Sequence, residues 1–234
     1  MKNLLASKLK ICLIVIPSYN INEKSLSWGL DKIINIIDLI YSLNENLFFF
    51  INSHLQNGFF NFTMPIITNL GSEFCGVAIC LIIWVFAMIK KNEQLRKLAV
   101  IGIIALCLVS IIVSIIKFSV AEPRPFVTLK NVHLLETEID PFSFPSGHTT
   151  NAFALTIVFG LNRKISIFKK PLKLIWFLIP LAAIVGFSRI YIGVHYPLDV
   201  LVGAIIGIIL GLIAIKLGNT FLKIKKTKSG NDYH

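Results

Sequence analysis

The sequence predicts an all-α integral membrane protein, a bundle of about six transmembrane helices with an interfacial helical N-terminal region. Three observations carry that expectation. Of 234 residues, 55% are hydrophobic and only 15% charged, with a mean hydropathy of +0.77. A soluble domain of this length carries more charge than that. Several apolar stretches approach the roughly 20 helical residues needed to cross a hydrocarbon core of about 30 Å. Cations, finally, gather at the ends of those stretches.

Taken in order, the first 73 residues form an N-terminal region of mixed character. Residues 26–43 are apolar but interrupted by Asp31, Lys32 and Asp38. Residues 47–67 mix Phe48, Phe49 and Phe50 with Asn52, Ser53, His54, Gln56 and Asn57, a pattern that suits a helix lying in the interface. A cytoplasmic N-terminus requires one crossing before residue 74. A sixth, imperfect span is therefore expected between about 9 and 43, the alternative being an N-terminus that faces outward. The apolar stretch Ile11–Pro17 is short and no small-residue cleavage pattern follows it, so a cleavable signal is not expected. Five clearer spans follow at about 74–89, 98–116, 147–161, 172–187 and 200–217, each bounded by charge, Pro or Gly. The third is short and borrows length from the Ser-Gly-His segment before it. A transmembrane core at 74–217 and a basic tail at 218–234 complete the expected division. No internal repeat or low-complexity linker is present.

The net charge of +11 raises the possibility of nucleic acid, but its placement argues against it. Lys2, Lys8 and Lys10 lie at the start, Lys90, Lys91, Arg96 and Lys97 between two spans, and five cations each in 162–173 and 216–234. The positive-inside bias puts such segments on the cytoplasmic face. Their attraction to anionic headgroups is a secondary reading. Alternation then places 117–146 and 188–199 on the outer or periplasmic side. That connection holds Glu122, Glu136, Glu138 and Asp140. Cysteines 12, 75, 80 and 107 show neither metal-ligand spacing nor a disulfide framework, and read as small buried hydrophobes.

Three clusters of ionisable residues fall on that outer side, where charge is costly to hold and so marks a working site. Lys117 and Arg124 stand seven apart, two helical turns, with Pro123 and Pro125 breaking the helix around Arg124. Arg presents a planar fork suited to phosphate oxygens and Lys a mobile point charge. Alone, the pair also reads as snorkelling interfacial cations. Pro145-Ser146-Gly147-His148 opens an apolar helix near Thr149. A helix start offers unpaired amides to an anion. Gly147 admits a close backbone approach, Ser146 has a hydroxyl to donate, and His148 is placed to protonate a leaving oxygen. The segment read alone is equally a capped helix start. Ser188-Arg189 and His195-x-x-x-Asp199 form the third cluster, a spacing that lets the carboxylate meet the imidazole across one turn. Such a pair fixes the tautomer and frees the other ring nitrogen as nucleophile or base. Together the clusters supply what phosphoryl transfer requires, which is positioning and charge stabilisation. No carboxylate cluster suited to Mg²⁺ or Zn²⁺ accompanies them. No cofactor is expected.

These motifs resemble those of the type-2 phosphatidic acid phosphatase superfamily, whose pattern is Lys-x6-Arg-Pro, Pro-Ser-Gly-His and Ser-Arg-x5-His-x3-Asp. The match covers about 117–203 without departure. The resemblance implies a metal-independent phosphohistidine mechanism in a six-helix bundle, with the site at the outer membrane–water boundary. His195 would attack phosphorus, oriented by Asp199. His148 would protonate the leaving group and then activate water. Lys117, Arg124, Ser146, Gly147 and Arg189 would hold the phosphate.

The expected function is removal of a terminal phosphate from a lipid phosphate or pyrophosphate, with the bilayer and that lipid as the partners. Undecaprenyl pyrophosphate, phosphatidylglycerol phosphate, phosphatidic acid and lipid A all carry the group the motifs would grip, and family analogy alone favours the first. A phosphotransferase passing the phosphoryl group to another lipid or to a sugar is the alternative. A non-enzymatic lipid transporter is disfavoured by the retention of both histidines and Asp199, and a soluble haloperoxidase by the five spans.

Overall fold

The computed structural model describes residues 23–161, 164–167 and 170–229. Lys2, Lys8, Lys10, Cys12 and the stretch 11–17, together with 230–234 of the tail, lie outside the described residues. So does the first part of the span expected between 9 and 43.

Helix α1 runs Glu23–Phe49 and continues through one wide turn, Phe50–His54. The part long and apolar enough to cross a membrane is Asp31–His54, further along the chain than the sequence suggested. The reason lies in the polar residues of 47–57, which were expected to face water at the interface. Asn52 instead points into the protein and is fully buried. Its amide donates to the carbonyls of His133 and Tyr191, each at 2.8 Å, and its oxygen accepts from His133 N at 2.9 Å. A satisfied amide of this kind is compatible with an apolar setting, whereas an unsatisfied one is not.

The chain then breaks at Leu55–Asn57. Asn57 caps helix α2, Gly58–Thr68, by accepting from Phe60 N at 2.9 Å. A tight turn at Asn69–Gly71 leads into α3, Glu73–Ile89, which is bent 61° from α2. Asn92 caps α4, Glu93–Val120, which ends where Ala121 takes a left-handed conformation. A single turn, α5, spans Pro125–Thr128, with Pro125 at the first helical position where its missing N–H costs nothing. Helix α6 is Gly147–Gly160, α7 is Ile175–Tyr191 and α8 is Pro197–Ser229.

The fold is helical, with one addition. The basic connection between α6 and α7 contains an antiparallel hairpin of β1, Lys164–Ile167, and β2, Lys170–Lys173. The span expected to start at 172 therefore starts at 175. Three described helices, Asp31–His54, Glu93–Val120 and Pro197–Leu222, are long and apolar enough to cross a membrane, or four if the bent α2–α3 pair is counted as one span. Large apolar side chains cover the outside, Phe74, Ile89, Phe118 and Trp176 among them, as a lipid-facing surface requires.

One contact positions the functional end of the bundle. Gly203, Gly207 and Gly211 recur every fourth residue along α8, on a single face. A Cβ at these positions would lie 2.8, 2.5 and 2.8 Å from the carbonyl oxygens of Ser146, Thr150 and Ala154. Small residues at this spacing let two helices approach backbone to backbone, the usual solution where no hydrophobic force drives helices together in lipid. Behind the stripe, Ile101, Val109 and Val113 of α4 pack with Val158 of α6 and Leu210 of α8. Gly207→Ala has no room to relax and is expected to lower the melting temperature in detergent, an overpacking cost on the order of 1–3 kcal/mol. Gly58→Ala, with nothing within 4 Å of its new methyl, is expected to leave it unchanged.

Candidate active site

Because α4 and α7 end, and α6 and α8 begin, on the same side of the bundle, residues far apart in sequence meet there. Lys117 lies in the last turn of α4, Arg124 immediately before α5, and Ser146 immediately before α6. Gly147 and His148 open α6, Arg189 sits in the last turn of α7, and Asp199 lies in the first turn of α8. His195 occupies the tight link from α7 to α8. Gly193 makes that link possible, with φ of +89° and no space for a Cβ, which would lie 2.8 Å from His133 O. The amide of Ser146 donates to Asp199 O at 3.1 Å, and Leu198 N donates to Asn44 Oδ1 of α1 at 2.9 Å. The start of α8 is thus tied to both α6 and α1.

The His195–Asp199 pair is formed, with Nδ1 3.3 Å from Asp199 Oδ2. Arg124 Nη1 lies 3.3 Å from the other ring nitrogen, Nε2. A guanidinium only donates, so Nε2 carries the lone pair and the proton resides on Nδ1, facing the carboxylate. Both side chains are about 1% exposed. Burial first, then the charges of Arg189, Arg124 and Lys117, hold the imidazole well below the usual histidine range, so it is neutral with Nε2 unprotonated.

Two partners of this pair were not singled out from sequence. Ser143 Oγ donates to Asp199 Oδ2 and lies 3.3 Å from His195 Nδ1. Tyr196 N donates to the same carboxylate oxygen at 2.8 Å, the bond by which a third-position acid caps its own helix. A serine preceding Phe-Pro-Ser carries no distinctive signal, and only the turn Glu122–Ser143, closed by Ser143 N donating to Glu122 O at 2.7 Å, brings it into place.

All three predicted cations converge, and each meets a carboxylate of the outer connection. Lys117 Nζ is 2.6 Å from Asp140 Oδ2, which is also 3.5 Å from Arg124 Nη2. Arg189 Nη2 pairs with Glu138 Oε1, while Glu138 Oε2 lies 3.9 Å from Arg124. Burial pushes the Glu138 carboxyl up, but Arg189 and Arg124 outweigh it and hold it below the usual carboxylate range. Asp140 is lowered in the same way, against burial, by its bond to Lys117.

Ser146 accepts from Thr149 Oγ1 at 2.9 Å, and Gly147 leaves open space where a Cβ would meet only Val113 at 3.8 Å. The open start of α6 therefore offers backbone amides beside these cations. His148 is half-buried and interacts electrostatically with Arg189, Glu138, Arg124 and Lys117, and with His195. Ser188, by contrast, donates to Val185 O at 2.7 Å within its own helix and serves that helix. No group of three or more His, Cys, Asp or Glu placed to hold a metal ion occurs among the described residues.

A model of the PAP2 superfamily matches residues 98–223, a stretch that is more than half of the chain and within which these eight positions fall. The chain belongs to the PAP2 superfamily. Within that superfamily it is 34% identical over 152 residues to the undecaprenyl-diphosphatase BcrC of Bacillus subtilis, covering 63% of this chain and 72% of the relative. An undecaprenyl-diphosphatase of Sulfolobus acidocaldarius is 28% identical over 178 residues, covering 76% and 79%. The crystal structure of Aquifex aeolicus LpxE superposes with a TM-score of 0.61 at 33% identity, over 74% of this chain and 95% of that one. These PAP2 relatives place the protein among membrane hydrolases.

Proposed function

We propose that the protein is a lipid phosphatase that removes a terminal phosphate from a lipid pyrophosphate or phosphate, through a phosphohistidine on His195. The observation that carries this reading is the buried His195–Asp199 pair, which orients the imidazole with Nε2 3.3 Å from Arg124. In the first step Nε2 attacks phosphorus, the bond to the leaving oxygen breaks, and that oxygen takes a proton from His148, whose protonated form is favoured by the negative charge the bound substrate brings. In the second, a water gives its proton to His148 and attacks phosphorus, releasing inorganic phosphate from Nε2. Lys117, Arg124, Arg189, the Ser146 hydroxyl and the amides at Gly147 and His148 carry the negative charge on the phosphoryl oxygens. These donors supply the charge stabilisation for which many phosphatases use a metal ion.

A lipid substrate is supported by the setting. An apolar cavity of about 560 Å³ between α3, α6 and α7 runs from Leu70 and Val185 to Phe86 and Leu98. Next to its Leu70–Val185 end, a Cβ on Gly71 would lie 2.7 Å from the backbone carbonyl of His148. A hydrocarbon chain suits such a groove. The names of the Bacillus and Sulfolobus relatives favour undecaprenyl diphosphate within this substrate class.

We propose six crossings, by α1, α3, α4, α6, α7 and α8, with α2 lying in the outer interface on its exposed Phe59, Phe62 and Ile66. The basic turn at Lys90–Asn92, the hairpin and the tail share the end opposite the site, which supports a cytoplasmic tail and an outward site. The test is phosphate release by purified protein in detergent from a panel of undecaprenyl pyrophosphate, phosphatidylglycerol phosphate, phosphatidic acid and lipid A, with EDTA present. Turnover of at least one is expected. Strict dependence on added divalent metal would count against the mechanism. Radiolabel recovered on a second lipid or a sugar, in place of free phosphate, would identify a phosphotransferase.

A further inference from the structure

The cations assigned to phosphate are already engaged by the chain's own anions. Asp140 bridges Lys117 and Arg124, Glu138 bridges Arg124 and Arg189, and Arg124 is common to both. The two sides of these ion pairs are held very differently. The side chains of Arg124 and Arg189 are 2% and 1% exposed, those of Glu138 and Asp140 21% and 42%.

Each cation also has an anchor that does not involve a carboxylate. Lys117 Nζ donates to Phe142 O at 2.6 Å, Arg124 Nη1 to Val194 O at 3.0 Å, and Arg189 Nη1 to Thr68 Oγ1 at 2.8 Å. Arg189 Nε, buried, has no hydrogen-bond partner among the described residues, so Glu138 leaves a donor of that guanidinium unused. Glu138 and Asp140 themselves project from a connection with no helix or strand between Leu129 and Asp140. Rotation of their side chains is enough to release them to water, while the cations stay where they are.

On the phosphatase reading above, we propose that Glu138 and Asp140 determine specificity by competing with the ligand for Lys117, Arg124 and Arg189. They set a threshold of negative charge that a ligand must meet to displace them. A terminal phosphate carries about −1.5 to −2 near neutral pH, whereas the phosphodiester of an ordinary phospholipid carries one negative charge. A pocket of three cations at headgroup depth would otherwise fill with those abundant diesters. Specificity is a difference of affinities, and an element that penalises the wrong ligand produces it as well as a contact to the right one. Two resident carboxylates are such an element: a monoanion replaces too little of the charge it must expel, and a terminal phosphate or diphosphate replaces it.

Calorimetric titration of the full-length protein in detergent with inorganic phosphate and with dimethyl phosphate tests this, comparing wild type with Glu138→Gln, Asp140→Asn and the double variant. Phosphate affinity is expected to rise about tenfold in the double variant, the change that follows from removing roughly 1.4 kcal/mol of competition. Dimethyl phosphate is expected to bind only the variants. Asp140→Asn, at the most exposed position, carries the test alone should the double variant not fold, because asparagine retains the oxygen that accepts from Phe142 N. Phosphate binding equal to or weaker than wild type in every folded variant overturns the proposal. Since titration reads binding without turnover, absent lipid hydrolysis alongside the expected affinities counts against the phosphatase reading alone, and intact hydrolysis with unchanged affinities against the charge threshold alone.

Discussion

His195→Ala is expected to reduce lipid phosphate turnover by on the order of 10³-fold or more, the scale seen when a covalent nucleophile is removed. His195 is the imidazole of this site that pairs with a carboxylate and presents its other ring nitrogen 3.3 Å from an arginine. The wild-type enzyme quenched during turnover should carry a phosphoryl label that is stable to base and lost in acid, and the variant should carry none. Lys32→Ala is the matched control. Its ammonium lies exposed on α1, 5.0 Å from the Trp28 ring centre, and belongs to no part of the site. Its turnover should equal that of wild type. Full activity of the His195 variant would refute the mechanism outright.

Asp199→Asn is expected to cost nearly as much, about 10³–10⁴-fold, by the same tautomer argument that applies to the aspartate of a serine protease triad. The amide that replaces the carboxylate offers a donor to Nδ1 and so moves the imidazole proton to Nε2, where it blocks attack on phosphorus. The amide nitrogen that meets Nδ1 stands where the oxygen accepted from Tyr196 N, so the cap of α8 is weakened too and the melting temperature should fall, a cost on the order of 1 kcal/mol. Turnover measured per folded molecule separates the chemistry from that loss. A variant retaining more than about a tenth of wild-type turnover would leave Asp199 as a helix cap only.

Most of the site was legible because its residues are chemically conspicuous against their surroundings. Ionisable groups such as Lys117, Arg189 and Asp199 stand out in apolar segments, and charge bias at the loops put them all at one end. The helices from α3 onward were also legible, since charge, Pro and Gly delimit them in order. What escaped notice did so for physical reasons. Glu138 and Asp140 were counted as evidence of sidedness, yet their pairing with cations arises only when the connection folds back over α4 and α7. Ser143 is one hydroxyl among many until Glu122 O fixes its backbone. The region before residue 73 misled most, because polarity at Asn52 reads as exposure to water unless the carbonyls of His133 and Tyr191 are known to meet it. The hairpin at 164–173 is short and basic, a composition that signals a cytoplasmic connection without specifying its shape.

One oxygen of Asp199 serves two masters, since it caps the first turn of α8 and also receives the imidazole of His195. Formation of that turn and formation of the His195–Asp199 pair are therefore coupled. A genetic screen for lost turnover should accordingly recover lesions that fray this turn from its lipid side, at Leu201 for instance, in protein that still accumulates to normal levels.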